Sequence, residues 1–403
     1  MHPLNRREFA GATLAASAAT SSLNAAGATI GDTLRDGIAA RKIPAVAAMA
    51  VSRGRTIFEG AYGVRDDSGA PVRPDSIFAI ASMTKAITTV AALQLVEAGK
   101  VKLDGPVDVY LPKLKNPRVL HGFAPSGQPI LKPATVPITL KHLLTHTSGL
   151  CYDTWDAQMF RYTSTVKDYP PPGPLMFEPG ARWQYGTGVD WAGRLVEAVS
   201  GMSLEEYFQT KIFRPLEMAD TSFILPEAKF DRLVSVWQRT NSGELKQNPR
   251  KPPTPPTSFN GGGGLYSTTA DYVRFMEMIL GNGAGANGAR ILSAKTVESM
   301  GVNQIGALSA GKMKSYRPDN SSDVDIQPGV EEKWGLGFLI NTTAYPGGRS
   351  AGSLAWAGIW NTYYWIDPAR AVCGVIMMQY LPFVDREAVA LLGDFERAVY
   401  RAV

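Results

Sequence analysis

The sequence predicts an α/β (α+β) protein in which one mixed sheet, completed by segments from both ends of the chain, encloses an inserted helical part. Three observations carry this. Strand-like runs gather near the N-terminus and again from Trp334 onward, and between them, at roughly 100 to 300, short helical patterns alternate with proline-rich or glycine-rich connections. No internal repeat interrupts that order. With 403 residues, 45% hydrophobic and 19% charged, the chain can bury a large core.

Residues 1–28 stand apart from the rest. Arg6-Arg7 precedes the weakly apolar run GATLAASAATSSLNAAGA, which ends in small residues and resembles a twin-arginine export signal with Ala26-Gly27-Ala28 as a cleavage site. Such a signal would carry the protein out of the cytoplasm, to the periplasm. The plainer reading is an alanine-rich tail. In IGDTLRDGIAARKI, Ile30, Leu34 and Ile38 share one helical face, and Pro44 stops the helix. AVAAMAV and TIFEGAYGV, joined by the polar turn at 52–55, read as an antiparallel hairpin. A helix from about Ser82 to Ala98 has Met83, Ala86, Ile87, Val90 and Leu93 on an apolar face and Gly99 as its stop, and it reads as buried.

In the middle, DYPPPGP at 168–174 and KPPTPPT at 251–257 are stiff loop material, either surface linkers or pocket walls. Thr268-Thr269-Ala270-Asp271 resembles a capping box opening a helix through Leu280. KWGLGFLI, SLAWAGIW, NTYYWIDP and AVCGVIMMQY then read as strands, and a last helix covers about Val384 to Tyr400. The sheet part is thus about 29–80 and 330–403, and the helical and loop part about 81–329.

Composition narrows the function. A formal charge of +5 on scattered Lys and Arg residues argues against nucleic acid or membrane surfaces as partners and for a small-molecule substrate. No segment approaches 18 uninterrupted apolar residues, so no membrane span is expected. Cys151 and Cys373 are too few for a disulfide framework and lack metal-ligand spacing, so both are expected as buried thiols.

The candidate chemistry centres on Ser82-Met83-Thr84-Lys85. One helical turn puts Ser82 and Lys85 on one face, where the positive end of the helix and burial both favour a neutral amine able to act as a base. S-x-x-K is a weak motif by itself, since Ser164–Lys167 and Ser309–Lys312 match it too. Only Ser82 lies between a strand-like run, Ile77–Ile80, and a long apolar helix. The bland alternative is an N-cap serine and a solvated lysine. Gly348-Arg349-Ser350-Ala351-Gly352 matches the G-x-S-x-G elbow, but no helix follows it and all four histidines lie upstream. His142 and His146 have i, i+4 spacing without the glutamate of an H-E-x-x-H zinc site, which leaves them packed or hydrogen-bonded near the site. The run Gly261–Gly264 lacks a following G-K-[ST] and reads as close backbone packing. A proton-handling partner is still needed, and Tyr185, just before the capping-box-like Thr187-x-x-Asp190, is best placed, with a core tyrosine as the alternative.

Together these residues resemble the serine β-lactamase-like hydrolases, in particular the family VIII carboxylesterases related to class C β-lactamases. The resemblance is carried by SMTK at 82–85, ITLKHLLTHTSGL at 138–150, FEPGARWQY at 177–185, GGGGLYSTTADY at 261–272, WGLGF at 334–338 and WAGIWNTYYWIDP at 356–368. It implies a β-lactamase/transpeptidase-like fold over 29–403: an antiparallel sheet flanked by helices, plus an all-helical part, with the active site between them. It implies Ser82 as nucleophile, Lys85 and Tyr185 managing protons, the backbone N–H groups of Ser82 and Ile359 as the oxyanion hole, and no metal or cofactor. Trp356-Ala357-Gly358 falls at the substrate-binding position where β-lactamases have Lys-Thr-Gly. No Lys-[Ser/Thr]-Gly occurs in the chain, and Thr187 stands where β-lactamases have Asn in Tyr-x-Asn. Without that lysine, small, largely neutral carboxylic esters are the expected substrates. Amide, β-lactam and acyl-transfer chemistry remain within the same resemblance, and a silent binding or sensor domain is the alternative outside enzymes. Family esterases usually read Trp-Gly-Gly, so Ala357 adds a Cβ at this position.

Overall fold

Seven strands form the central sheet of the computed structural model, which describes residues 29–240 and 242–403; the candidate export signal lies outside them. They are β1 (Ala45–Ser52), β2 (Arg55–Gly63), β3 (Glu332–Trp334), β4 (Leu339–Asn341), β5 (Leu354–Gly358), β6 (Thr362–Asp367) and β7 (Val372–Met377). Their order is β2-β1-β7-β6-β5-β4-β3, and every neighbouring pair is antiparallel. The mixed sheet expected from strand content is therefore corrected to an antiparallel one, which is what the family resemblance implies. Short connections explain it: β1–β2, β3–β4, β5–β6 and β6–β7 are joined by turns too short for the crossover that a parallel pair requires. β1 pairs with β7 from Ala47 opposite Met377 to Ser52 opposite Val372, so the two ends of the chain meet at the middle of the sheet.

Both faces of the sheet are covered, and neighbouring residues of β6 show it. Trp365 packs on Phe395 of α5 (Arg386–Arg401), ring centroids 5.5 Å apart, whereas Tyr364 packs on Tyr272 of α4 (Thr269–Leu280) at 5.0 Å. Successive strand side chains point to opposite faces, so α5, with α1 (Ile30–Arg41) beside it, lies on one side and α4 on the other. Every residue of β6 and β7 is buried, as a doubly covered strand requires. The helix expected from Ser82 is a 3-10 turn, Ala81–Met83, leading into α2 (Thr84–Glu97), which is buried from Thr84 through Leu93 and packs against α3 (Gly188–Ser200).

The two expected capping boxes behave differently from their sequences. Thr268 caps α4 by accepting the Asp271 amide at 3.2 Å, but the Asp271 carboxylate takes the Asp220 amide and the Thr221 hydroxyl instead. Thr187 makes no side-chain cap, and the Asp190 carboxylate turns into the interior. Cys151 and Cys373 are free and buried, as expected.

Gly348–Gly352 is a turn between β4 and β5 rather than an elbow. Arg349 is buried and donates from Nε and Nη2 to the two carboxylate oxygens of Glu396 at 2.9 and 2.6 Å, which ties the turn to α5. Removing one partner of such a pair strands the other charge in the interior. Glu396→Ala is expected to cost about 3–5 kcal/mol, read as a lowered unfolding midpoint in denaturant, whereas an unchanged midpoint would show that water reaches Arg349.

Candidate active site

The position of Ser82 is set by a short ladder. Phe78 and Ala79 pair with Ser267 and Tyr266, the Ile80 amide donates to the Leu265 carbonyl at 2.9 Å, and Ala81 then adopts φ +43°. A left-handed alanine is disfavoured, and here it swings the chain from the ladder into the turn that presents Ser82. Tyr272 anchors the next carbonyl, its hydroxyl donating to Met83 at 3.0 Å. This ladder also lays the glycine run beside Ser82.

Lys85 is 1% exposed, yet its side-chain nitrogen has oxygen partners on three sides. It donates to Ser82 Oγ at 3.1 Å, to the Tyr152 hydroxyl at 3.3 Å and to the Gly262 carbonyl at 2.5 Å. The structure thus brings Ser82 and Lys85 together as the i, i+3 spacing expects. The glycine run proves to be more than close packing. A Cβ on Gly262 would collide with the Asp190 carboxylate, and one on Gly193 of α3 would press on Gly261 at 3.0 Å, so bare backbone lets a carbonyl reach the amine.

Tyr185 lies with its ring 4.8 Å from the Lys85 nitrogen, and its hydroxyl accepts the Trp356 indole N–H at 3.1 Å. The Tyr185 hydrogen is therefore free to be directed elsewhere. A second phenol, Tyr152, makes the direct hydrogen bond to Lys85, and the sequence reading did not single it out. Backbone pairing explains its place: the Tyr152 amide donates to the Tyr185 carbonyl at 3.4 Å, and the Thr187 amide to the Leu150 carbonyl at 3.2 Å. Gly186 permits this approach, since any Cβ there would clash with Leu150 O. The Tyr152 hydroxyl donates onward to Asp190 Oδ2 at 3.4 Å. Burial and the Asp190 charge hold the Tyr152 phenol well above its usual range, so it stays neutral. Shielding from bulk water raises the Asp190 carboxyl, against the opposing pull of Lys85.

Beneath these groups His146 packs on Tyr185 and Trp334, with ring centroids at 4.6 and 4.9 Å. Burial and Lys85 push its pKa well below the usual value, so it is a neutral ring. His142 accepts the Thr139 amide at 3.2 Å in a helix cap. Among the described residues no group of three or more His, Cys, Asp or Glu is placed to hold a metal.

A cavity of about 650 Å³ opens in front of Ser82. Tyr152, Trp155, Gly262–Gly264, Ile359 and Trp360 border it, together with Lys251 and Pro253 of the second proline-rich segment. Among the described residues, the charged ones on its wall are Arg250 and Lys251. Ser82 and Ile359 both reach it, and neither backbone amide has a protein acceptor among the described residues. Trp356, Ala357 and Gly358, expected at the substrate, do not border this cavity. The alternation of β5 turns Trp356 inward onto Tyr185 and Trp334, Ala357 is buried, and Gly358 packs under the Ile80 carbonyl, so the next two residues supply the wall.

An antiparallel sheet with helices on both faces and a serine–lysine pair beneath a cavity makes a β-lactamase/transpeptidase-like fold, and the chain belongs to the beta-lactamase family, whose profile matches residues 30–396. Its relatives are more particular. A lovastatin esterase of Penicillium rubens is 32% identical over 87% of this chain and 92% of its own. A monacolin J acid methylbutanoyltransferase of Aspergillus terreus is 30% identical over 91% and 94%. Among solved structures, a mutant simvastatin synthase from Aspergillus terreus superposes with a TM-score of 0.82 at 30% identity, covering 92% of this chain and 96% of that one.

Proposed function

We propose that the protein is a serine hydrolase of carboxylic esters that works through an acyl-enzyme on Ser82. The observation that carries this is the Ser82–Lys85 hydrogen bond at the floor of an open cavity. Lys85 takes the Ser82 proton as Oγ adds to the ester carbonyl, and the amides of Ser82 and Ile359 receive the oxyanion. Collapse breaks the bond to the alkoxide, which leaves as alcohol with the proton returned through Lys85 and Tyr185. Water then adds to the acyl group in the same way, giving the acid and restoring Ser82. Nothing in this sequence of steps calls on a cofactor.

The substrate is expected to be small and uncharged around the scissile bond, because the cation that meets a β-lactam carboxylate is replaced by buried Trp356. Arg250 and Lys251 stand on the wall formed by the proline-rich segment and disfavour cationic esters. A second reading, acyl transfer to an alcohol instead of water, is favoured by the relatives named as acyltransferases and by a cavity large enough for two partners.

Residues 29–403 are expected to hydrolyse p-nitrophenyl acetate, butyrate and octanoate while barely turning over a chromogenic cephalosporin, and Ser82→Ala is expected to lose at least about 10³-fold in kcat. An unimpaired Ser82→Ala would sink the reading. Analysing products with and without an added alcohol separates hydrolysis from transfer. Gly358→Ala, whose Cβ would strike the Ile80 carbonyl and shift the chain between the two oxyanion amides, is expected to lower kcat about 10²-fold with the fold intact by circular dichroism. Retained activity there would remove Ile359 from the oxyanion role.

A further inference from the structure

A second cavity, of about 340 Å³, lies on the far side of the Tyr152–Asp190 contact. Its walls are Met159 and Thr163 of the helix Ala157–Thr165, Tyr169, Pro171 and Pro172 of the first proline-rich segment, and Arg194 at its exposed rim. Tyr152 borders both cavities, whereas Asp190 borders only the rear one and is half-buried, with its open side facing that space. Lys85 is sealed between the cavities. From front to rear the polar atoms form one chain: Ser82 Oγ to Lys85 Nζ 3.1 Å, Lys85 Nζ to Tyr152 OH 3.3 Å, and Tyr152 OH to Asp190 Oδ2 3.4 Å.

We propose that Tyr152 and Asp190 form a proton path through the wall between the two cavities, so that the protonation of Lys85 is set from the rear while substrate fills the front. This rests on the reading of Lys85 as the base. The step conserves protons: a Lys85 N–H proton passes to the Tyr152 oxygen as the Tyr152 O–H proton passes to Asp190 Oδ2. The result is a neutral amine, a regenerated phenol and a carboxylic acid. Water in the rear cavity exchanges the acid proton. The upward push on the Asp190 carboxyl lowers the cost of this state relative to the ion pair. Asp190 faces Lys85 from α2, Arg194 from its own helix, Tyr152 and Asp153 from the preceding loop, Tyr169 from the proline-rich segment and Tyr185 beside Tyr152; Asp153 is itself paired with Arg317 at 2.6 Å. Asp190 is thus a positioning and proton-holding residue that need not touch substrate.

The test is the pH profile of kcat for p-nitrophenyl butyrate in the 29–403 protein. With the path intact, one proton is shared within the Lys85–Asp190 pair and the profile is flat around neutrality. In Asp190→Asn, and equally in Tyr152→Phe, Lys85 has to lose its proton to solvent, so activity falls about tenfold or more at pH 7 and keeps rising with pH where the wild type is flat. A loss of the same factor at every pH would mean a merely structural role and overturn the path. Thr163→Trp fills the rear cavity from a position that does not border the front one. It is expected to lower kcat several-fold at unchanged KM, and an unchanged kcat would overturn rear access. If Ser82→Ala is inactive yet the Asp190→Asn profile keeps the wild-type shape, the path fails while the hydrolase reading stands.

Discussion

A lysine amine buried to 1% exposure and held by three oxygens is the constraint around which the site is built. An unsatisfied ammonium in such a place would cost several kcal/mol, so each acceptor has to be delivered accurately and by a different part of the chain. Ser82 comes from the 3-10 turn that leads into the helix carrying Lys85. Tyr152 comes from a loop zipped to the Tyr185 segment, and a backbone carbonyl comes from a glycine run that only bare α-carbons allow so close. The left-handed Ala81, the ladder at Phe78–Ala79 and the approach of α3 to Gly261 all follow from bringing these oxygens to one point.

The aromatic bed under the lysine completes the electrostatics. His146, Trp183, Tyr185, Trp334 and Trp356 are all buried and pack on one another in edge-to-face and tilted pairs. The low local dielectric of such a bed strengthens charge interactions beside it. Neutral His146 contributes bulk without adding a competing charge. Proline-rich segments wall both cavities, which gives a concrete use to stretches whose composition alone was equally compatible with surface linkers.

Much of this was legible in the sequence, and what was not has definite reasons. The order of strands and helices could be read from periodicity, and Ser82 with Lys85 from helical spacing, because both are local signals. Strand direction was not, since the periodicity of a strand is the same whichever way its neighbour runs. Tyr152 lies 67 residues from Lys85, and nothing in its own neighbourhood marks it. Asp190 carried a misleading signal: Thr187-x-x-Asp190 has the spacing of a helix cap, but tertiary contacts claimed the carboxylate. Trp356 was placed at the substrate by its position in a motif, whereas its strand turns it inward to serve Tyr185.

The pairing of β1 with β7 joins residues 47–52 to 372–377 across nearly the whole chain. Contacts so distant in sequence form late and slowly, because a long loop must close before they contribute. The strand that carries Gly358 toward Ser82 belongs to that same late-assembled sheet. A growing or truncated chain that already contains Ser82, Lys85 and both tyrosines therefore still lacks the strand that brings Gly358 under the Ile80 carbonyl, next to Ser82.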